Sequence, residues 1–170
     1  MSFRLCLTRS LVASLDSLSV DRDVTVENLE HIPRIVYSLR IFCKPNYDNN
    51  SVVSANLSAI HQSVTRLELF ATRNGDDEIG FLPKSITELV LGSVTGVTDT
   101  GLKNLSPNLQ SSIIQDNDGL SDRGLLELPH DLKMLTVTPS DQITEAGLKK
   151  LVGTITVKQN VPIESDDSYE

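Results

Sequence analysis

An α/β solenoid is the fold class predicted by the 170-residue sequence: a horseshoe with a parallel concave sheet and short helices on the convex side. Three observations predict it. A nine-residue segment recurs as VTDTGLKNL from Val97, LSDRGLLEL from Leu120 and ITEAGLKKL from Ile143, with starts 23 residues apart. A strand-like block precedes each copy, its apolar frame set by Ile86, Leu89 and Leu91, then Leu109, Ser112 and Ile114, then Leu132, Leu135 and Val137. The same block recurs upstream at Leu15, Leu18 and Val20, at Val36, Leu39 and Ile41, and at Val64, Leu67 and Leu69. Finally, the last apolar residue of one unit lies four residues before the first of the next at five junctions: Ile32 to Val36, Ile60 to Val64, Leu82 to Ile86, Leu105 to Leu109, and Leu128 to Leu132.

Taken in order, residues 1–14 read as an N-terminal cap. Arg4 and Arg9 interrupt their apolar residues, so no Sec signal is expected, and no later run is long enough to span a membrane. Six units then fill residues 15–151, with starts at 15, 36, 64, 86, 109 and 132 and periods of 21, 28, 22, 23 and 23. The long period holds an insertion, KPNYDNNS, at residues 44–51. Upstream, VTVENLEHI from Val24 repeats the second half of the unit with Asn28 where Gly101 stands, and Val52 to Ile60 fits with Asn56 there.

Alternation at Leu89-Val90-Leu91 makes a short strand, while Thr98, Ser121 and Thr144 suit the N-caps of helices that open with Asp99, Asp122 and Glu145. Gly101, Gly124 and Gly147 stand one turn into those helices, where Gly costs about 1 kcal/mol against Ala. Their expected benefit is close approach of the helix to neighbouring backbone. Leu102, Leu105, Leu125, Leu128, Leu148 and Leu151 face the strands at i, i+3 spacing. One unit cannot bury such a face alone, so stacked neighbours supply the core. Ser112 occupies a core Leu position and is expected to be a small or hydrogen-bonded site. Val152, Ile155 and Val157 suggest a closing strand within a C-terminal cap at 152–163, and ESDDSYE at 164–170 reads as a disordered acidic tail.

Composition narrows the function. A net charge of −8 opposes a nucleic-acid backbone or an anionic membrane as main partner and leaves another protein as the default. Cys6 and Cys43 are too few for a disulfide framework and lack zinc-site spacing, which suggests a reducing cytoplasm. His31, His61 and His130 all fall at helix-to-strand junctions, about 9 Å or more apart even in adjacent units, so no catalytic set converges. HExxH, GxSxG, GxxxxGKS and GxGxxG are absent, and VTGVTDTG around Gly96 belongs to the repeat. No catalytic residue, metal or cofactor is expected, and the chain is expected to be a monomer on its own.

The blocks ITELVL and LKMLTV resemble the LxxLxL signature of leucine-rich repeats over roughly residues 15–160. Three positions past the last apolar residue stand Asn117 and Asn160, with Asp23, Thr72 and Ser140 at the equivalent site, and Val94 and Lys44 departing from it. A polar side chain there would satisfy backbone groups where the chain leaves the sheet. The GL-bearing half is similar to the cysteine-containing subtype, whereas Ile32-Pro33, Leu82-Pro83 and Leu128-Pro129 resemble the LP-bearing repeats of bacterial effector proteins. The resemblance implies a protein-binding scaffold. It further suggests a small effector of intracellular bacteria, delivered into a host cytosol, that inhibits or regulates its partner, an enzyme or another effector, by occluding its active site. An alternative is a substrate-recognition part of a ubiquitin ligase. With about 14 residues before the first unit and about 10 after the last, an F-box or ligase domain is not expected within this sequence.

Outward strand positions form three columns on the concave sheet. The first is Ser17, Ser38, Arg66, Glu88, Ser111, Met134; the second Ser19, Arg40, Glu68, Val90, Ile113, Thr136; the third Asp21, Phe42, Phe70, Gly92, Gln115, Thr138. Apolar anchors interleaved with charges suit a protein interface. The expected anchors are the pair Phe42 and Phe70 and the run Val90, Ile113 and Met134. The candidate binding residues are therefore Ser38, Arg40, Phe42, Arg66, Glu68, Phe70, Glu88, Val90, Ser111, Ile113, Gln115, Met134 and Thr136.

Overall fold

The computed structural model describes residues 16–21, 29–42, 57–138, 140–151 and 155–159. Cys6, Cys43, Asp23, Asn28, Lys44, Asn56, Val152 and Asn160, the 44–51 insertion and the acidic tail lie outside them. Seven strands form one parallel sheet in sequence order: β1 (Ser17–Asp21), β2 (Ser38–Phe42), β3 (Arg66–Phe70), β4 (Glu88–Gly92), β5 (Ser111–Gln115), β6 (Met134–Val137) and β7 (Thr156–Gln159). Parallel neighbours require a crossover, and the described helical residues within the crossovers share one apolar core with the strands. The helical pieces bounded within the described residues are short: a 3-10 turn at Leu57–Ala59, α1 (Asp76–Gly80), α2 (Asp99–Leu102), α3 (Asp122–Leu125) and α4 (Glu145–Leu151).

The register follows from the apolar frame. Leu39, Leu67, Leu89, Ser112, Leu135 and Val157 form one continuous row across β2 to β7, and Ile41, Leu69, Leu91, Ile114 and Val137 another across β2 to β6. These residues point at the helical side, where Leu102, Leu125, Leu148 and Ile79 meet them in a single aliphatic core. Every junction pair is buried, from Ile32 and Val36 to Leu128 and Leu132. The same turn closes each junction, the second residue donating its N–H back three positions, as Val36 does to the Pro33 carbonyl at 3.0 Å and Leu132 to Pro129 at 3.1 Å. Each Leu buried this way contributes about 1.5–3 kcal/mol, so stacking rather than any single unit holds the fold.

Ser112 is buried in that core, and its Oγ has no hydrogen-bond partner. It is a small site, not a hydrogen-bonded one. The strands end on a shared backbone device: Ala71, Ser93 and Asp116 take φ of 53°, 52° and 51° immediately after β3, β4 and β5. Left-handed conformation costs a non-glycine residue roughly 1–2 kcal/mol. It turns the Ala71 and Ser93 N–H groups onto the Gly92 and Gln115 carbonyls of the next strand, both at 2.9 Å.

Asn117 fills the polar role expected at the turn. Its Nδ2 donates to the Leu91 and Gln115 carbonyls at 3.0 and 2.7 Å, and its Oδ1 accepts from the Val94 N–H at 2.9 Å, which also provides for the unit where Val replaces the polar residue. Thr72 does not behave this way: its buried hydroxyl has no partner, and only its backbone carbonyl is used, by the Thr95 N–H at 3.1 Å. Ser140 serves its own turn, accepting from the Gln142 and Ile143 N–H groups.

The helical side carries a ladder. Asp76, the first residue of α1, accepts from the Thr98 N–H at 2.7 Å and hydroxyl at 2.6 Å; Asp99 accepts from Ser121 at 2.8 and 2.6 Å; Asp122 accepts from Thr144 at 2.7 and 2.6 Å. Each hydroxyl also caps its own helix, accepting from the N–H of Thr100, Arg123 or Gly147. This explains Gly101, Gly124 and Gly147, because a Cβ at any of them would fall on the carboxylate of Asp76, Asp99 or Asp122. The close neighbour is chiefly a side chain of the preceding unit, where backbone was expected. Bonding from Thr144 holds the Asp122 carboxyl below its ordinary value.

Candidate functional site

Alternation along each strand turns the residues between the core rows to the open face of the sheet. The pairing aligns them as three columns: Ser38, Arg66, Glu88, Ser111 and Met134; Arg40, Glu68, Val90, Ile113 and Thr136; and Phe42, Phe70, Gly92 and Gln115. All thirteen candidate residues lie on β2 to β6. What the structure adds is how they contact one another.

Glu68 sits at the centre, buried although it faces outward, at 6% relative exposure. Its Oε2 accepts from the Arg40 Nε at 2.5 Å and its Oε1 from the Arg66 Nε at 3.0 Å. Arg66 reaches on to Glu88, Nη1 to Oε2 at 2.6 Å. Burial alone would raise the Glu68 carboxyl; hydrogen bonds and then charge from the two arginines outweigh it and lower it below its ordinary value. Hydrogen bonding to Glu68 likewise raises the Arg66 guanidinium. Four charged residues from three strands thus form one neutral, mutually bonded cluster.

Beside it lies the aromatic pair. The Phe42 and Phe70 rings are tilted by 44° with centroids 6.4 Å apart, and the Arg40 guanidinium carbon is 5.9 Å from the Phe70 centroid. Phe70 lies across β4 in the space that a side chain at Gly92 would occupy. Gly92 therefore positions the ring, a role unseen when Gly92 was only one member of a column. The second anchor run is modified: Val90 is buried at 7% yet stands outside the core cluster, so side chains on the open face cover it. Ile113 is half-buried and Met134 exposed, and these two remain as the accessible apolar residues of that run.

Among the described residues, the large exposed apolar side chains elsewhere are Phe81 and Leu126, immediately after α1 and α3, and Ile35 and Tyr37, ahead of β2. A polar cleft of about 400 Å³ opens by α2 and α3, lined by Thr98, Asp99, Thr100, Lys103, Gly119, Arg123 and Glu127, with Lys103 and Glu127 paired at 3.3 Å. It contains no histidine or cysteine. His61 Nδ1 accepts from the Ser63 N–H at 3.0 Å, and His31 and His130 are exposed. Among the described residues no cluster of His, Cys, Asp or Glu could hold a metal, and no helix is long and apolar enough to cross a membrane.

No family model and no curated protein matches the chain. Among solved structures it is similar to the leucine-rich repeat-containing protein LegL7 from Legionella pneumophila, at 18% identity and a TM-score of 0.39, over 78% of this chain and 59% of that one. The chain thus spans less than two thirds of that protein's length. The leucine-rich-repeat architecture stands on the strand order and register themselves: seven sequential parallel strands on one side and short helices on the other.

Proposed function

We propose that this chain is a non-catalytic interaction module that binds a protein partner through the open face of its sheet. The observation that carries the proposal is the side-by-side placement, across β2 to β4, of the Phe42 and Phe70 rings and the Arg40–Glu68–Arg66–Glu88 cluster. Apolar side chains held rigid next to bonded charges lose little entropy on binding and impose register on a partner. Ile113 and Met134 extend the same face towards β6. In this reading the face occludes the active site of an enzyme, in the manner of a small bacterial effector acting in a host cytosol.

Quantitative pull-downs from host and bacterial lysates test it, with the full chain and its Phe70→Ala/Ile113→Asp double variant as paired baits. Proteins retained by the first and lost from the second, at equal thermal stability of the baits, are the expected result. Identical captures by both baits would place the binding surface elsewhere. Turnover of a small substrate by the purified chain would contradict the non-catalytic reading.

A further inference from the structure

The charged cluster on the open face is balanced in number but not in bonding. Arg66 is engaged from both sides, its Nε and Nη2 by Glu68 and its Nη1 by Glu88. Arg40 makes one such contact, through Nε, and its side chain is 56% exposed. Among the described residues its two Nη groups, with four N–H donors, have no carboxylate. Two features hold the guanidinium in place: the buried Glu68 carboxylate at its base and the Phe70 ring 5.9 Å away. A guanidinium anchored at Nε presents its Nη edge as a planar fork, suited to two parallel bonds from one carboxylate. Phe42 lies on the same strand and the same face, its ring 6.4 Å from that of Phe70.

We propose that Arg40 receives a carboxylate of the protein partner, from an Asp or Glu whose sequence neighbour is an apolar residue that covers the Phe42 and Phe70 rings. The inference rests on the open sheet face being the binding surface and names the chemistry it recognises. A carboxylate fits better than a phosphate, because the four-charge cluster that includes Arg40 already sums to zero and Glu88, half-exposed at 49%, would oppose a second negative charge. On a chain of net charge −8, this fork is a point where an acidic partner side chain finds prearranged donors.

The test is to pan random displayed peptides over the full chain, synthesise the enriched sequences and measure their affinities by calorimetry. Enriched peptides are expected to carry Asp or Glu beside an aromatic or aliphatic residue. Changing that acid to its amide should weaken binding by about tenfold or more. Arg40→Gln should cause a similar loss with the acidic peptide and little further loss with the amide one. The peptide-side change uses the unaltered protein, so it decides the matter even where Arg40→Gln disturbs the fold. Failure to enrich any peptide, absence of an acid preference, or equal affinity of the acid and amide forms would overturn the proposal. Peptides without acid preference that still lose affinity to the Phe70→Ala/Ile113→Asp variant would leave the binding face standing. Peptides indifferent to that double variant would overturn the face as well.

Discussion

On the helical side the same residues return at each step: Asp at 76, 99 and 122, Thr or Ser at 98, 121 and 144, Gly at 101, 124 and 147. On the open face the residue changes at nearly every step, the central column reading Arg40, Glu68, Val90, Ile113, Thr136. The difference has a physical origin. An Asp that must accept two hydrogen bonds from the next unit, above a residue that must lack a side chain, tolerates few replacements. A strand position whose side chain leaves the core is fixed only by what it meets outside, and is free to differ from unit to unit. In a repeat protein the periodic side is therefore the scaffold, and the aperiodic side is where specificity can reside.

The largest expected effect breaks the ladder sterically. Gly124→Val drives a branched side chain into Asp99 and should lower unfolding stability by about 3 kcal/mol in urea titration, through overpacking and loss of the cap at Ser121. Smaller is Asp99→Ala, which removes both bonds to Ser121 and should cost about 1–2 kcal/mol. The two sites should be coupled: Gly124→Ala is expected to cost less in the Asp99→Ala background than alone, since the clashing carboxylate has gone. Additive losses would mean that the ladder and the glycine are unrelated.

The third effect is on acid stability. Asp122 is depressed below its ordinary value of 3.8, so the stability it confers is fully present above that pH and is lost as pH falls through the lower folded value. Asp122→Asn should therefore flatten the fall in unfolding midpoint below about pH 4. The smallest effect sharpens the contrast from the other side. Met134→Ala, exposed on the open face, should change stability by no more than about 0.5 kcal/mol while weakening partner binding.

Much of this was legible in the sequence because burial imposes period two along a strand and about 23 along the chain. Leu39, Leu67 and Leu89 could be aligned before any coordinates, and with them the columns that lie between. What escaped depends on distance rather than pattern. The segment from Asn74 to Leu82 hides its likeness to VTDTGLKNL, because Gly75 and Glu78 stand where Thr98 and Gly101 do, yet Asp76 falls 23 residues before Asp99 and starts the ladder. The spacing of Asp76, Asp99 and Asp122 was the available signal. Burial of Glu68 and Val90 had none, since it depends on how side chains fold across the face, as Arg40 and Arg66 do onto Glu68. Nor did the Thr72 turn, where a residue of suitable type makes no side-chain bond.

Side-chain oxidative footprinting of the chain with and without its captured partner tests the central claim most directly, because exposed or half-buried reporters stand on both sides. Met134, Phe42 and Phe70 mark the open face, while Phe81 and Leu126, 63% and 55% exposed, mark the helical side. Labelling at Met134, Phe42 and Phe70 should fall on complex formation, with Phe81 and Leu126 unchanged. Protection of Phe81 and Leu126, with the open face still reactive, would contradict a function carried by the sheet.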